Sequence, residues 1–153
     1  MQHVILLIDD DPDFVEATQL LLEANDYKVI TASNGQEGFQ KVKRESPNLI
    51  ILDMMMTYKT EGAETAKAIT NDAAIKDIPI IMITGARKEF SFPFELKPNQ
   101  PNLPVKVIME KPVDPENLLK TIITYIEKRG EEPVQKQVEV KNLIDKWQDK
   151  EGN

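Results

Sequence analysis

The chain has 153 residues, a formal net charge of −7 and no cysteine, and it is 41% hydrophobic and 29% charged. This length suffices for one hydrophobic core but not for two ordinary domains, and the composition is that of a globular chain. The acidic balance argues against a nucleic-acid-binding surface, which needs basic side chains, and the absence of cysteine excludes disulfides and thiolate metal sites.

The amino-terminal residues Met1-Gln2-His3 lead directly into an apolar run, without the pattern of a secretory signal. The longest apolar run is also far too short to span a bilayer, so membrane insertion is not expected. We therefore expect a cytoplasmic protein.

Short apolar strands and amphipathic helices alternate along the chain. The predicted strands cover residues 4–8, 27–32, 48–53, 78–84 and 105–109. The predicted helices cover residues 12–24, 36–44, 63 to about 73, and 114–126. Asp11 is interpreted as the cap of the first helix, and a loop from Thr57 to Gly62 precedes the third. This alternation predicts a doubly wound α/β sheet of five parallel strands.

Two segments depart from this alternation. Residues 87–104 hold four prolines where a helix would be expected, and they predict a long loop with at most a short helical turn. Residues 134–150 predict a modest amphipathic helix that contains Trp147. We therefore divide the chain into a domain over residues 1–129 and a linker with a C-terminal amphipathic helix or tail over residues 130–153.

The run Asn48-Leu-Ile-Ile-Leu-Asp53 ends in a carboxylate, and an unbroken apolar run of this kind is typical of a strand covered on both faces. A carboxylate in such a place requires a metal, a cation or a hydrogen-bond donor nearby. The carboxyl ends of parallel strands meet at one edge of the sheet, where ligands bind in doubly wound folds. The polar residues that the sequence places at this edge are Asp9, Asp10, Asp53, Thr84 and Lys111.

Three carboxylates in one crevice repel one another, by roughly 3 kcal/mol for each pair at about 5 Å and an effective dielectric constant near 20. A divalent cation reverses this repulsion, and an all-oxygen ligand set favours Mg²⁺, Mn²⁺ or Ca²⁺ over Zn²⁺. Asp53 would be the nucleophile of a phosphoryl transfer, since carboxylates form acyl phosphates. Lys111 would neutralise one phosphoryl oxygen, and the Thr84 hydroxyl would donate to another.

Four short motifs stand at four of the five predicted strand ends: Ile8-Asp9-Asp10, Ile50-Ile51-Leu52-Asp53, Ile83-Thr84-Gly85 and Glu110-Lys111-Pro112. Together, in this order and nearly at this spacing, they resemble the receiver domain of two-component response regulators. Any one of these motifs is unspecific, but the set of four is specific. The similarity covers about residues 3–129, except for much of 87–104.

The resemblance implies a flavodoxin-like fold with strand order 2-1-3-4-5. The Pro-rich segment would replace the helix between the fourth and fifth strands, and the C-terminal helix would be an addition. Asp53 would accept a phosphoryl group from a sensor histidine kinase or a phosphotransfer protein, and Thr84 and Lys111 would sense it. The chain would then act as a phosphoacceptor that signals to a downstream protein, not as an enzyme, and a homodimer is compatible with this role.

The resemblance also implies a site for Mg²⁺ (or Mn²⁺). Asp10 and Asp53 would bind the ion directly and Asp9 largely through water. The backbone carbonyl of Met55 would complete the set of protein ligands.

Three features depart from the family pattern. The family usually has a proline four residues after the acceptor, where this chain has Thr57, and the loop to Gly62 is about one residue longer. Ile108 stands where a switch aromatic is expected, so the usual coupling of Thr84 to a rotating ring cannot operate. We therefore expect the chain to accept a phosphoryl group as the family does. The step that passes the signal to a partner is expected to differ from the family pattern.

Two alternatives stay open at this point. The first is an interaction module that works without phosphorylation and retains the acidic site as a relic, which Ile108 and the Pro-rich loop motivate. The second is a small Mg²⁺-dependent phosphohydrolase, which lacks a second acid placed to protonate a leaving group. Phe90, Phe92 and Phe94 are interpreted as packing of the loop on the sheet edge, with a docking patch as the alternative.

Overall fold

A computed structural model describes residues 2–85 and 96–128 of the chain. Its five strands are β1 (Val4–Ile8), β2 (Lys28–Ala32), β3 (Leu49–Asp53), β4 (Ile80–Thr84) and β5 (Val107–Glu110). Its four helices within these ranges are α1 (Pro12–Ala24), α2 (Gly35–Glu45), α3 (Glu61–Thr70) and α4 (Pro115–Lys128). The predicted C-terminal helix, the three phenylalanines of the Pro-rich segment and Trp147 lie outside the described residues.

The chain divides into two compact units, Met1–Val113 and Asp114–Asn153. The first contains the sheet, α1, α2 and α3. The described part of the second is α4, which begins as predicted: the Asp114 carboxylate accepts the Asn117 N–H at 3.0 Å, and Pro115 occupies the first helical position. Leu118, Ile122 and Ile126 recur every four residues along α4 and form its apolar stripe.

All strands of the sheet are parallel, in the order β2-β1-β3-β4-β5. The flavodoxin-like fold that the resemblance implied is therefore confirmed. Ile8 pairs with Leu52, Asp53 with Ile83, and Thr84 with Glu110, so the carboxyl ends of β1, β3, β4 and β5 lie within about one residue of one another. This register places the residues that follow each strand along one edge.

The sheet is covered on both faces, as the unbroken apolar strands predicted. One set of alternate strand residues packs in a core with α2 and α3 and comprises Leu6, Ile8, Ile50, Leu52, Ile80 and Met82. The intervening residues point to the opposite face and are also buried: Ile5, Leu7, Leu49, Ile51, Ile81 and Ile83. Burial of this kind supplies the main stabilisation of the fold, about 1.5–3 kcal/mol for each large aliphatic side chain.

The start of α3 differs from the sequence prediction. We expected a loop up to Gly62 and a helix from Ala63, but α3 begins at Glu61. The glycine was taken as a loop signal, whereas its role is close packing: its N–H donates to the Met54 carbonyl at 2.9 Å. A Cβ at this position would lie 2.6 Å from Met54 Cα and closer still to the Asp53 carbonyl oxygen.

Two strands also begin two residues later than predicted. β4 begins at Ile80, because Pro79 has no N–H for the ladder and contributes only its carbonyl, which accepts the Ile50 N–H at 2.9 Å. β5 begins at Val107, since the Val105 carbonyl accepts the Asn99 N–H at 2.8 Å within the preceding loop. A backbone N–H or carbonyl group that forms a hydrogen bond within a turn is not available to pair with a neighbouring strand.

The described part of the Pro-rich segment, residues 96–104, is not helical. It contains an antiparallel bridge between Gln100 and Leu103, and Asn99 adopts a left-handed conformation with φ 59°. The prediction of a loop is confirmed for these residues, and the remainder of the segment lies outside the described ranges.

Replacement of Gly62 by alanine should destabilise the protein by about 3 kcal/mol, because the new methyl group meets backbone atoms of Asp53 and Met54, at and just after the end of β3, that cannot move aside. The matched control is Gly85→Ala, whose Cβ would lie 3.7 Å from Lys111 Cδ, an ordinary contact. This control should change stability by less than about 1 kcal/mol. Urea unfolding followed by circular dichroism measures both, and equal losses would contradict the packing argument.

Candidate functional site

Three carboxylates meet at the carboxyl edge of the sheet. Oxygen atoms of Asp9, Asp10 and Asp53 lie within 4.8 Å of one another. Asp9 is 2% exposed and Asp53 is 5% exposed, whereas Asp10 is open to solvent. The convergence expected from the sequence is therefore present, with two buried acids and one exposed acid.

Asp9 is fixed by the backbone on both sides. Its N–H donates to the Ala32 carbonyl of β2 at 3.0 Å, and its Oδ1 accepts the Asp11 N–H at 2.9 Å. Asp11 in turn caps α1, as predicted, by accepting the N–H groups of Asp13 and Phe14 at 3.1 and 3.4 Å. The start of α1 thus orients the first acid of the site.

Asp53 is held by its position as the last residue of β3. The next residue, Met54, donates its N–H to the Ile83 carbonyl of β4 at 2.8 Å. Asp53 Oδ1 accepts a long hydrogen bond, 3.4 Å, from the N–H of Met55. Burial and then the charge of Asp9 raise the pKa of Asp53 to about 7, against the lowering effect of Lys111.

Lys111 lies on the acidic cluster. Its Nζ is 3.1 Å from Asp9 Oδ2 and 3.9 Å from Asp11 Oδ2, and it stands 4.4 Å from the centre of the Phe14 ring. The backbone N–H of Lys111 donates to the Thr84 carbonyl at 2.8 Å, which fixes the base of the side chain. The position of Lys111 at this edge was expected from the sequence, but its ion pair with Asp9 and its cation–π contact with Phe14 were not predicted.

Two oxygen atoms at this edge are buried without a hydrogen bond in the part of the chain that the structure describes: Thr84 Oγ1 and Asp9 Oδ2. The Lys111 ammonium is near Asp9 Oδ2, but it interacts as a charge and not along a hydrogen-bond direction. Buried polar atoms are normally paired. The Thr84 hydroxyl, 1% exposed, is therefore available to donate to a ligand.

The donor set fits a hard divalent cation. It consists of carboxylate oxygens only, one acid is open to water, and one buried acceptor has no hydrogen bond. Such a set suits Mg²⁺ or Mn²⁺ and not a soft metal. Met55, whose carbonyl the resemblance implied as a further ligand, lies two residues beyond Asp53 in the loop to α3.

Ile108 occupies the position of the expected switch aromatic. It lies on β5 opposite Met82 of β4 and packs, half-buried, against the hydrophobic core. A branched aliphatic side chain in this place has no ring to rotate between solvent and core.

One buried acid near the site was missed from the sequence. Glu61 had been placed in a loop, but it is 7% exposed and accepts two backbone N–H groups, from Gly35 and Thr57. Gly35 is 26 residues away in sequence, and Glu61 itself lies on the first turn of α3, which was not predicted. Local pattern therefore gave no sign of these contacts.

The raised pKa of Asp53 predicts how the metal-free protein responds to pH. In the folded state this carboxyl binds a proton with a pKa of about 7, against 3.8 ordinarily, so its stabilising contribution is complete below about pH 4. The contribution is lost as the pH rises through 7. In EDTA, the free energy of unfolding should therefore fall between pH 4 and 8.

Asp53→Asn should remove this slope and raise the free energy of unfolding at pH 8 by about 1–3 kcal/mol. The control is Glu16→Gln, an exposed acid on α1, which should keep the wild-type slope. Urea titrations at several pH values measure the effect. If the free energy of unfolding of wild type and of Asp53→Asn depends on pH in the same way, the pKa of Asp53 is not raised in the folded protein.

No helix within residues 2–85 and 96–128 combines the length and apolar character needed to cross a membrane.

Comparison with known proteins identifies the family. The model of the response regulator receiver domain matches residues 5–123. Protein PilH of Pseudomonas aeruginosa is 30% identical over 118 residues, which is 77% of this chain and 93% of PilH. The alkaline phosphatase synthesis transcriptional regulatory protein PhoP of Bacillus subtilis is 39% identical over 90 residues, 59% of this chain and 36% of PhoP. The chain thus spans about a third of the length of such transcriptional regulators.

Solved structures agree with this assignment. A CheY-like receiver domain protein from Methanospirillum hungatei has a TM-score of 0.70 at 26% identity, over 84% of this chain and 97% of that one. Chemotaxis protein CheY4 of Vibrio cholerae has a TM-score of 0.70 at 27% identity, over 82% and 99%. With the family match, the fold and the acidic edge in agreement, the chain belongs to the response regulator receiver domains of two-component signalling systems.

Proposed function

We propose that this receiver domain is a phosphorylation-dependent switch in which Asp53 accepts a phosphoryl group from a sensor histidine kinase or a phosphotransfer protein. The observation that supports this most strongly is the meeting of three carboxylates within 4.8 Å, with the Lys111 ammonium 3.1 Å from one of them. Purely structural acids would be placed apart, since mutual repulsion at this distance costs stability.

The transfer would begin with attack of an ionised Asp53 carboxylate oxygen on the phosphorus of the donor. A new O–P bond forms as the N–P bond of a phosphohistidine breaks, and the electron pair of that bond stays on the imidazole nitrogen. The product is a mixed anhydride, an acyl phosphate of Asp53. Because the metal-free pKa of Asp53 is about 7, added positive charge near the site increases its reactive, ionised fraction.

Asp10 and Asp53 would hold a Mg²⁺ or Mn²⁺ ion directly, Asp9 through water, and the Met55 carbonyl would complete the protein ligands. When bound, the ion supplies the positive charge that offsets the phosphoryl oxygens and the clustered acids. The all-oxygen character of the cluster supports this assignment, as does Asp9 Oδ2, which is buried and accepts no hydrogen bond.

Lys111 and Thr84 would bind the transferred group. The ammonium is already at the edge of the site and can turn from Asp9 to a phosphoryl oxygen. The Thr84 hydroxyl has no other partner among the described residues, so donation to the phosphoryl group would satisfy it. Both interactions exist only when the phosphoryl group is present, as a switch requires.

We further propose that the output is contact with a downstream protein. The net charge of −7 disfavours nucleic acid as the partner of this part of the chain. We propose that residues 1–129 form the receiver domain and that the protein is located in the cytoplasm. A homodimer would be one form of such a contact.

The second candidate function, a module that binds its partner without phosphorylation, is favoured by one observation. Ile108 packs against the core and offers no rotating ring, and the described residues 96–104 form no helix. This chain therefore differs from the family pattern at Ile108 and in residues 96–104, even though the acidic edge is retained.

Incubation with acetyl phosphate and Mg²⁺ should give a hydroxylamine-labile phosphate on wild-type protein and none on Asp53→Asn. Glu16→Gln is the control for a general loss of negative charge. Intact mass spectrometry and phosphate-affinity gels measure the product. Phosphate that persists in Asp53→Asn, or none on wild type, would remove the proposal, and equal partner affinity of wild-type phosphoprotein and Asp53→Asn would favour the second candidate.

Lys111→Ala should abolish most of the conformational response to beryllofluoride while it lowers the free energy of unfolding by less than about 2 kcal/mol in Mg²⁺. The lysine is partly exposed, and the ion would compensate Asp9 in its absence. Amide chemical shifts of the strand-end residues report the response, and calorimetry reports folding. Loss of the folded state would show that Lys111 is structural.

A further inference from the structure

Glu61 is a buried carboxylate outside the acidic cluster, and its hydrogen bonds join two loops at the carboxyl edge of the sheet. Its Oε2 accepts the Gly35 N–H at 2.6 Å, at the start of α2, and its Oε1 accepts the Thr57 N–H at 2.8 Å, in the loop from β3 to α3. We call this arrangement the Glu61 bridge. Each carboxylate oxygen has one backbone donor, so the charge is compensated by directed bonds.

The position at the start of α2 is electrostatically favourable. The first N–H groups of a helix have no partner within the helix, and the helix dipole attracts a negative charge there. The Asn34 side chain caps α2 by accepting the Glu37 N–H at 2.8 Å, and Glu61 accepts the N–H of Gly35. Two different N–H groups of α2 are thus satisfied by two different side chains.

The bridge is closely packed on the side of Gly35. A Cβ on Gly35 would collide with Thr65 Oγ1 and lie 3.2 Å from Glu61 Oε2. The Thr65 hydroxyl itself donates to the Glu61 carbonyl at 2.8 Å. The starts of α2 and α3 are therefore packed closely enough to hold the carboxylate in one position.

The bridge fixes one end of the segment that follows the proposed phosphoacceptor. At the near end, Met54 is tied to β4 by its N–H and to Gly62 by its carbonyl, at 2.8 and 2.9 Å. At the far end, Thr57 is tied to Glu61. Only Met55 and Met56 lie between these two fixed points.

Thr57 stands where the family pattern has a proline, and this difference makes the bridge possible. Proline has no N–H and could not donate to Glu61, but its ring restricts the backbone at that position. In this chain the restriction of the loop comes from a hydrogen bond to a buried acid. The replacement of proline by Thr57 and the burial of the Glu61 carboxylate thus explain each other.

We propose that Glu61 is a positioning residue of the phosphorylation site: through Thr57 it fixes the backbone of Met55, and through Gly35 it anchors that loop to α2. This inference rests on the proposed function of Asp53 and of the Met55 carbonyl. The chemical requirement is geometric, since a carbonyl ligand displaced by a fraction of an ångström binds a small cation such as Mg²⁺ poorly.

The test is Glu61→Gln, which keeps the size of the side chain but replaces one acceptor oxygen by a donor NH₂. One of the two backbone N–H groups then faces a donor. Hydrogen exchange measured by NMR should show at least tenfold faster exchange of the Gly35 or the Thr57 amide. Calorimetric titration should show a Mg²⁺ dissociation constant about tenfold higher, and phosphorylation by acetyl phosphate should slow at limiting Mg²⁺ but recover at saturating Mg²⁺.

Two controls separate positioning from general loss of stability. Glu64→Gln changes an exposed acid one turn further along α3, whose partners are the side chains of Tyr58 and Thr60, and it should leave Mg²⁺ affinity unchanged. Ile69→Val reduces core packing in the same helix and should lower the melting temperature without an effect on Mg²⁺ affinity.

The outcomes distinguish this inference from the proposed function. If wild type is phosphorylated and Glu61→Gln matches it in Mg²⁺ affinity and amide exchange, the role of Glu61 is overturned and that of Asp53 stands. If wild type takes no phosphate, the proposed function fails, and the Mg²⁺ titration and amide exchange still decide whether Glu61 positions the loop. An equal loss of Mg²⁺ affinity in Ile69→Val would assign the effect to stability.

Discussion

The structure depends on holding three acids together against their own repulsion. Carboxylates within 4.8 Å of one another, two of them buried, raise the free energy of the metal-free folded state. This repulsion must be offset by stabilisation from elsewhere in the structure, and that stabilisation comes from the sheet. Strands whose side chains are almost all buried aliphatics supply it, since each contributes favourable burial on both faces. The apolar core and the acidic edge are thus two parts of one arrangement.

The backbone converts that core stability into fixed positions for the polar groups. Asp9, Met54 and Lys111 each follow a strand directly, and each donates its N–H to a carbonyl of the neighbouring strand at 2.8–3.0 Å. The parallel ladder therefore continues one residue beyond the strands. Because the chain cannot diverge until after these residues, the side chains at the edge are placed with the precision of a sheet and not of a loop.

The sequence was sufficient for the features that depend on local pattern. Unbroken apolar runs indicated the strands, and the polar residues at four of the five strand ends indicated the edge cluster, because strand ends align in a parallel sheet. It was insufficient where a residue type has two physical roles. Gly62 was taken as a loop residue, whereas it allows α3 to approach the β3 backbone. The contacts of Glu61 with Gly35 and of Lys111 with Phe14 join distant segments, and no periodicity encodes them.

The charges at the edge explain why one lysine does not complete the site. Three ionised carboxylates against a single ammonium leave two negative charges in a largely buried place. Without metal, the protein relieves part of this excess by holding a proton near Asp53, whose pKa is raised to about 7. A divalent cation would cancel the excess and free that proton. Lys111 would then no longer be needed by Asp9, and under the proposed function the same ammonium would be available to an incoming phosphoryl group. Charge balance would in this way link metal binding to the availability of the lysine.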